Sequence, residues 1–273
     1  MITRRAILLY ALALPLAAGA AAQDKLAGKL TITGSSTIAP LALELAKAFE
    51  KMHPETRIDV QTGGSSRGVN DARSGLADIG MASRALYDTE KDLVGSVIAL
   101  DGICIILHKS NPVDQLSNQQ IIDIYTGKIT DWSEVGGTPG RITVVNKAEG
   151  RSTLDLFLSF FKLKNSAIKA SVVIGDNQQG VKTVIGNPGA IGYVSVGTAE
   201  FEAEQGAALK LLAMGGVSPS TANVKNGTFP LTRPLNLVTK TEPQGLAKAF
   251  IDFARSKEAH PFIKEQFFVP LEN

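Results

Sequence analysis

Three short stretches of this 273-residue chain join glycine to small hydroxyl residues: Gly34-Ser35-Ser36-Thr37, Gly63-Gly64-Ser65-Ser66-Arg67-Gly68 and Glu149-Gly150-Arg151-Ser152-Thr153. Each follows a strand-like run and precedes a segment with helical apolar spacing. A helix N-terminus leaves about four backbone N–H groups unpaired and carries roughly half a positive charge. It is therefore a natural seat for an anion. Glycine lets the backbone approach closely, and serine and threonine add hydroxyl donors. One such loop alone reads first as a plain N-cap. Three of them, two with an arginine inside, point to a tetrahedral anion surrounded by aimed donors.

The candidate donors are Ser36 and Thr37 in the first loop and Ser65, Ser66 and Arg67 in the second. The third loop offers Arg151, Ser152 and Thr153. Ser83 and Arg84 end a short apolar run at 78–82, the place where α/β proteins tend to hold ligands. Arg84 offers a planar fork, against the alternative of a solvated surface arginine. Asp101, before Gly102, is a candidate acceptor for a proton carried by the ligand, against the alternative of a turn residue at a strand end. Asp78 reads as structural.

The elements that must carry these loops alternate short strands with helices, the pattern of an α/β fold. Strands are expected at 29–33, 57–61, 78–82, 97–108, 142–145, 190–196 and 235–239. Helices carry the apolar stripes Leu41-Leu45-Phe49, Val69-Ala72-Leu76, Leu154-Phe157-Phe161 and Leu246-Phe250-Phe253. Ser117 with Gln120 fits a capping box before Ile121, Ile124 and Tyr125. Residues 128–140 read as a turn-rich connector holding Trp132, and 215–226 as a crossing loop. Two lobes are expected: 23–108 with 226–273, and 109–225 between them, with hinges at 105–110 and 215–235.

The N-terminus reads as an export signal, 1–22. Arg4 and Arg5 precede an apolar run from Ala6 to Ala18, and Ala20-Ala21-Ala22 offers a cleavage site. The arginine pair leaves Sec and twin-arginine export both open. Removal of that segment leaves 26 basic against 26 acidic residues. A near-neutral chain lacks the basic surface of a nucleic-acid binder. The single cysteine, Cys104, excludes an intramolecular disulfide and lies in the apolar run Ile103–Leu107, as a buried strand residue would. No cofactor or metal motif is present, and a soluble monomer is expected.

The loops resemble those of PstS-type phosphate-binding proteins of ABC transporters. The resemblance runs in order along the chain. It takes in Gly-Ser-Ser-Thr-Ile-Ala-Pro at 34–40, Gly-Gly-Ser-Ser-Arg-Gly at 63–68, Asp-Ile-Gly-Met-Ala-Ser-Arg at 78–84 and Ala-Leu-Asp-Gly at 99–102. It continues through Tyr-Thr-Gly-Lys-Ile-Thr-Asp-Trp at 125–132, Pro-Gly-Ala-Ile-Gly-Tyr-Val at 188–194 and Phe-Pro-Leu-Thr-Arg-Pro-Leu at 229–235. It implies a two-lobed type II periplasmic-binding-protein fold with two crossing strands. It also implies delivery of inorganic phosphate to an inner-membrane ABC permease, without catalysis. Ser36, Thr37, Ser65, Ser152 and Thr153 would donate to the anion. The chain departs from the family's pattern at three places. Lys147 stands where an arginine is common, Arg151 interrupts the third loop, and Arg84 stands where some members have an aspartate. Arg151 would then supply the cation that Lys147 supplies less well, and Asp101 the missing acceptor.

Two other readings stay open. One is a binding protein for sulfate, molybdate or a phosphonate. The other is an exported phosphoester hydrolase. Against the hydrolase, His53, His108 and His260 lie in no nucleophile or metal motif.

Overall fold

The computed structural model describes residues 26–272. The expected export segment, 1–22, lies outside the described residues. The chain runs β1 (Gly28–Gly34), α1 (Ala39–Met52), β2 (Thr56–Thr62), α2 (Ser65–Ser74), β3 (Ile79–Ala82) and then the long β4 (Val94–His108). It continues through α3 (Asn118–Tyr125), β5 (Thr143–Lys147), α4 (Ser152–Phe161), β6 (Val172–Ile174), α5 (Asn177–Ile185), β7 (Ala190–Ser195), α6 (Val196–Glu204) and β8 (Leu209–Leu212). It closes with α7 (Thr221–Lys225), β9 (Thr232–Thr239), α8 (Gly245–Arg255), α9 (His260–Glu265) and β10 (Val269–Pro270).

β4 joins the two halves. Its residues 94–102 pair antiparallel with β9, and its residues 103–107 pair antiparallel with β7. β8 pairs with it at 105–108. The strand order β2-β1-β3-β9-β4-β7-β5-β6 therefore runs through one lobe into the other along a single strand. The partner change falls between Gly102 and Ile103, ahead of the expected hinge at 105–110. The chain returns at the same level, where the Ile103 N–H donates to the Leu231 carbonyl at 3.0 Å, just before β9. The expected hinge at 215–235 takes in that return.

Each lobe has its own core, which is why each can hold its loops rigidly. In the first, α1 buries Leu41, Leu45 and Phe49 against β1 and β3, and Phe49 meets Phe250 of α8 edge-on at 5.6 Å. His53 ends α1 before Pro54, which cannot continue a helix. In the second, Phe157 of α4 stacks on Tyr193 of β7 at 4.0 Å, over a wall formed by Ile103–Leu107. Cys104 is fully buried in that wall, and burial first of all pushes its thiol well above the ordinary range.

The capping box of Ser117 and Gln120 opens α3 as expected, with bonds of 3.2 and 2.8 Å. The connector at 128–140 is tied down by Trp132, whose indole N–H donates to the Gly189 carbonyl at 3.0 Å. The expected loop at 215–226 instead contains α7. Ser220 caps it through the Asn223 N–H at 3.1 Å, a signal hidden among surrounding glycines and serines.

Candidate functional site

The three glycine-serine loops meet between the lobes. Ser65 opens α2 and Ser152 opens α4. The Ser65 hydroxyl donates to Ser152 Oγ at 2.9 Å, and Ser152 Oγ lies 2.6 Å from Ser83 Oγ. Ser35 donates to Ser83 Oγ at 2.9 Å, and the Ser83 N–H donates to Ser65 Oγ at 3.2 Å. Four serine hydroxyls from four loops thus share one buried cluster. Two threonines flank it. Arg233 reaches in from β9 and donates from Nη1 to Thr153 Oγ1 at 3.0 Å and to Ser83 Oγ at 3.3 Å. From Nη2 it donates to Thr37 Oγ1 at 3.2 Å.

These serines and threonines do not cap their helices. α1, α2 and α4 have Ile38, Gly64 and Arg151 at their N-cap positions, none of them giving a side-chain cap. Four other helices, α3, α5, α6 and α7, carry a Ser or Asp that accepts from their first turn. The hydroxyls at the starts of α1, α2 and α4 bond to one another, to Ser83 and to Arg233. Such a shell suits a tetrahedral oxyanion. Each hydroxyl can exchange a mutual bond for a bond to the anion, and the helix ends supply positive potential without added side-chain charge.

The lobes are closed on each other at this point. The Ser66 N–H donates to the Gly150 carbonyl at 3.2 Å. Gly64 has φ 95°, and a Cβ there would lie 2.6 Å from the same carbonyl, so only glycine permits the approach.

Arg233 and Asn177 were not among the sequence candidates. Arg233 stands inside the Phe-Pro-Leu-Thr-Arg-Pro-Leu stretch at 229–235 that carries part of the resemblance, but nothing local in that stretch marks it as a site residue. Asp101 faces it with both side chains shut off from solvent. Arg233 donates to Asp101 Oδ2 from Nε at 3.0 Å and from Nη2 at 2.8 Å. The other oxygen of Asp101 accepts from Ser195 Oγ at 3.0 Å and from the Gly197 N–H at 3.2 Å, at the start of α6. The expected part of Asp101, taking a proton from the ligand, does not fit a carboxylate so engaged. It holds and orients Arg233 instead.

Asn177 opens α5. Its Nδ2 donates to Thr37 Oγ1 at 3.0 Å, and its Oδ1 accepts from Lys147 Nζ at 3.0 Å. Lys147 is 2% exposed. Burial, then the nearby charge of Arg233, pulls its ammonium down to about 7. Asp176 partly opposes the shift and Arg151 adds to it. Unfolded lysine holds its proton to about 10.4. Between these values the folded protein binds fewer protons than the unfolded chain, so stability rises with pH across that window. An anion settling beside Lys147 favours its charged form. Binding of an oxyanion at about pH 8.5 is therefore expected to take up about one proton. Calorimetry in buffers of different ionisation enthalpy reads the uptake, and Lys147→Met should abolish it.

The remaining candidates lie apart from the cluster. Arg67 is exposed and pairs with Asp71 at 3.1 Å. Ser36 is half-buried at the turn before α1, and Ser35 supplies the hydroxyl expected of it. Arg151 lies along Gly64 and Gly175, with its Nε buried and without a hydrogen-bond partner. Arg84 is buried but faces away from the serines. Its Nη1 and Nη2 meet Glu90 at 2.7 and 2.8 Å, so its fork is taken by a carboxylate six residues on. The expectation that Arg84 grips the anion gives way to this pair. Among the described residues no group of His, Cys, Asp and Glu has the geometry to hold a metal ion, and no helix is long and apolar enough to cross a membrane.

Comparison with known proteins gives consistent relatives. A family model described as a PBP superfamily domain matches residues 19–258. The phosphate-binding protein PstS of Bacillus subtilis is 31% identical over 91% of this chain and 83% of its own. Among solved structures, a substrate-binding protein with bound phosphate from Clostridium perfringens is 34% identical. It covers 90% of this chain and 100% of its own, with a TM-score of 0.83. An ABC-type phosphate transport receptor from Vibrio cholerae is 30% identical over 89% of this chain and 100% of its own, with a TM-score of 0.72.

Proposed function

This chain belongs to the PBP superfamily and, within it, to the PstS-type phosphate-binding proteins, and from that premise we propose that it captures inorganic phosphate in the periplasm for an inner-membrane ABC importer. The observation that carries the reading is the group of uncapped helix starts whose hydroxyls gather around Arg233. Ser35, Thr37, Ser65, Ser83, Ser152 and Thr153 give hydroxyls to the anion. The first-turn N–H groups of α1, α2 and α4 give backbone donors, and Arg233 gives charge. Ser36 and Ser66 contribute through the same turns. Lys147 and Arg151 set the potential from the second lobe. Arg67 and Arg84 stay outside the shell.

Capture works by closure. Each lobe alone offers part of the shell, so the anion binds the closed form more tightly and shifts the population toward it. The lobes are 23–108 with 226–273 and 109–225, and the partner change of β4 at Gly102 favours a boundary earlier than 108. The exported chain acts as a soluble monomer and hands its anion to the permease without chemistry on it.

A second reading, a receptor for sulfate, molybdate or a phosphonate, draws on Asp101. Its carboxylate is bound up with Arg233 and is not offered to a protonated oxyanion. A thermal-shift panel separates these readings. Phosphate is expected to raise the unfolding midpoint of the mature protein at concentrations where sulfate and molybdate do not. A larger shift with sulfate overturns phosphate as the ligand, and turnover of a chromogenic phosphoester revives the hydrolase.

A further inference from the structure

Besides the serine cluster, further side-chain contacts join the lobes: Thr221 Oγ1 donates to the Phe267 carbonyl at 2.9 Å, Lys225 pairs with Glu272 at 3.1 Å, and a third lies one helical turn from the cluster itself. Tyr87, on the segment after β3, donates its hydroxyl to Asp155 Oδ2 of α4 at 3.2 Å. Asp155 lies one turn beyond Ser152, so the contact acts on the helix that brings the second lobe's hydroxyls to the cleft. Tyr87 itself is 43% exposed, a setting in which a tyrosine has no reason of its own to be held still.

It is held by the buried pair that the anion shell does not use. Arg84, 2% exposed, places its guanidinium 3.7 Å from the centre of the Tyr87 ring. Glu90 binds Arg84 through both carboxylate oxygens and accepts from the Tyr87 N–H at 2.9 Å. Asn236 of β9 donates to the Arg84 carbonyl at 2.8 Å. The tyrosine is fixed at its backbone by Glu90 and at its ring by Arg84. A buried ion pair does little for net stability, since desolvation offsets much of its attraction, but it fixes geometry. A cation against the ring adds attraction. The Tyr87 hydroxyl, pushed up to about 12 chiefly by burial, is a protonated donor at neutral pH, as an ordinary tyrosine is.

We propose that Tyr87 and Asp155 form a latch that holds the closed lobes together from outside the anion's own shell, and that the Arg84–Glu90 pair aims it. The latch rests on the phosphate-binding reading. It explains why an arginine just beyond Ser83 is buried and yet turned from the cleft. Tyr87 and Asp155 are positioning residues, since neither belongs to the hydroxyl cluster.

A latch formed only on closure sets how long the anion stays, not how fast it arrives. In stopped-flow experiments on the full mature chain with inorganic phosphate, Tyr87→Phe is expected to speed dissociation about fivefold, the worth of one hydrogen bond. The association rate constant should stay within about twofold. Asp155→Ala should speed dissociation too, and the double variant should fall short of the product of the two single effects, because they break one contact. Dissociation unchanged in Tyr87→Phe, or single effects that multiply, overturns the latch. A parent protein that takes up no phosphate overturns the functional reading instead. The latch is then judged by treating the Tyr87→Cys, Asp155→Cys double variant with a short bismaleimide. Cross-linking of the two sites supports it and its absence overturns it. Cys104, fully buried, does not compete for the reagent.

Discussion

Arg233→Gln is expected to weaken phosphate binding by at least about a hundredfold. Arg233 is the one side chain that touches hydroxyls from three of the converging loops, Thr37, Ser83 and Thr153. Truncating one partner of a buried, hydrogen-bonded charge pair costs about 2–5 kcal/mol in binding. The variant also leaves Asp101 buried and uncompensated, a loss of about 3–5 kcal/mol in stability. These effects separate in the double variant Arg233→Gln, Asp101→Asn. Removing the stranded carboxylate should restore much of the unfolding midpoint without restoring affinity. If the double variant binds phosphate like the parent, Arg233 serves only the fold.

The second large effect is expected from a residue with no side chain. Gly68, in the first turns of α2, is pressed against β1 and β3. A Cβ there would lie 2.6 Å from the Thr33 carbonyl, 2.8 Å from Gly34 Cα and 2.8 Å from the Met81 carbonyl. All three are backbone atoms, so no flexible side chain can give way. Gly68→Ala must push α2 off the sheet, and with it Ser65 and its bonds to Ser83 and Ser152. Overpacking of this kind costs about 3 kcal/mol. In a two-lobed chain of this size that corresponds to a fall of about 6–12 °C in the unfolding midpoint. Phosphate affinity should fall with it. A midpoint within about 2 °C of the parent would show that the sheet yields, against the account of how the loops are positioned.

What could be read from the sequence follows from the range of the interactions. The loops were legible because glycine, hydroxyl residue and helix start lie side by side in the chain. β4 was legible as an apolar run too long for a turn. The α5 and α6 helices and the strands β6, β8 and β10 were not. They are short, and α6 lacks a clear apolar stripe because Val196, Gly197 and Ala199 are buried on it for want of bulk. At the site, Ser65, Ser83, Ser152, Thr37 and Thr153 were named from their loops. Arg233 was missed because its partner Asp101 stands 132 positions away. Pairing at that distance leaves no local pattern. Arg84 misled for the opposite reason. Its place after Ser83 put it beside the cleft, and only the fold shows Glu90 turning its fork away. Ser35 and Ser36 differ only in which hydroxyl a turn directs inward, a choice set by the Ser35 bond to the Thr37 N–H at 3.2 Å.

The most direct test of the central claim, a single oxyanion held jointly by both lobes, is titration calorimetry of inorganic phosphate into the mature protein. The account predicts one phosphate per chain, displaced little by excess sulfate, with the binding heat lost in Ser152→Ala combined with Ser65→Ala, one hydroxyl from each lobe. Binding that survives the removal of both, or a protein that takes up no phosphate, would contradict it.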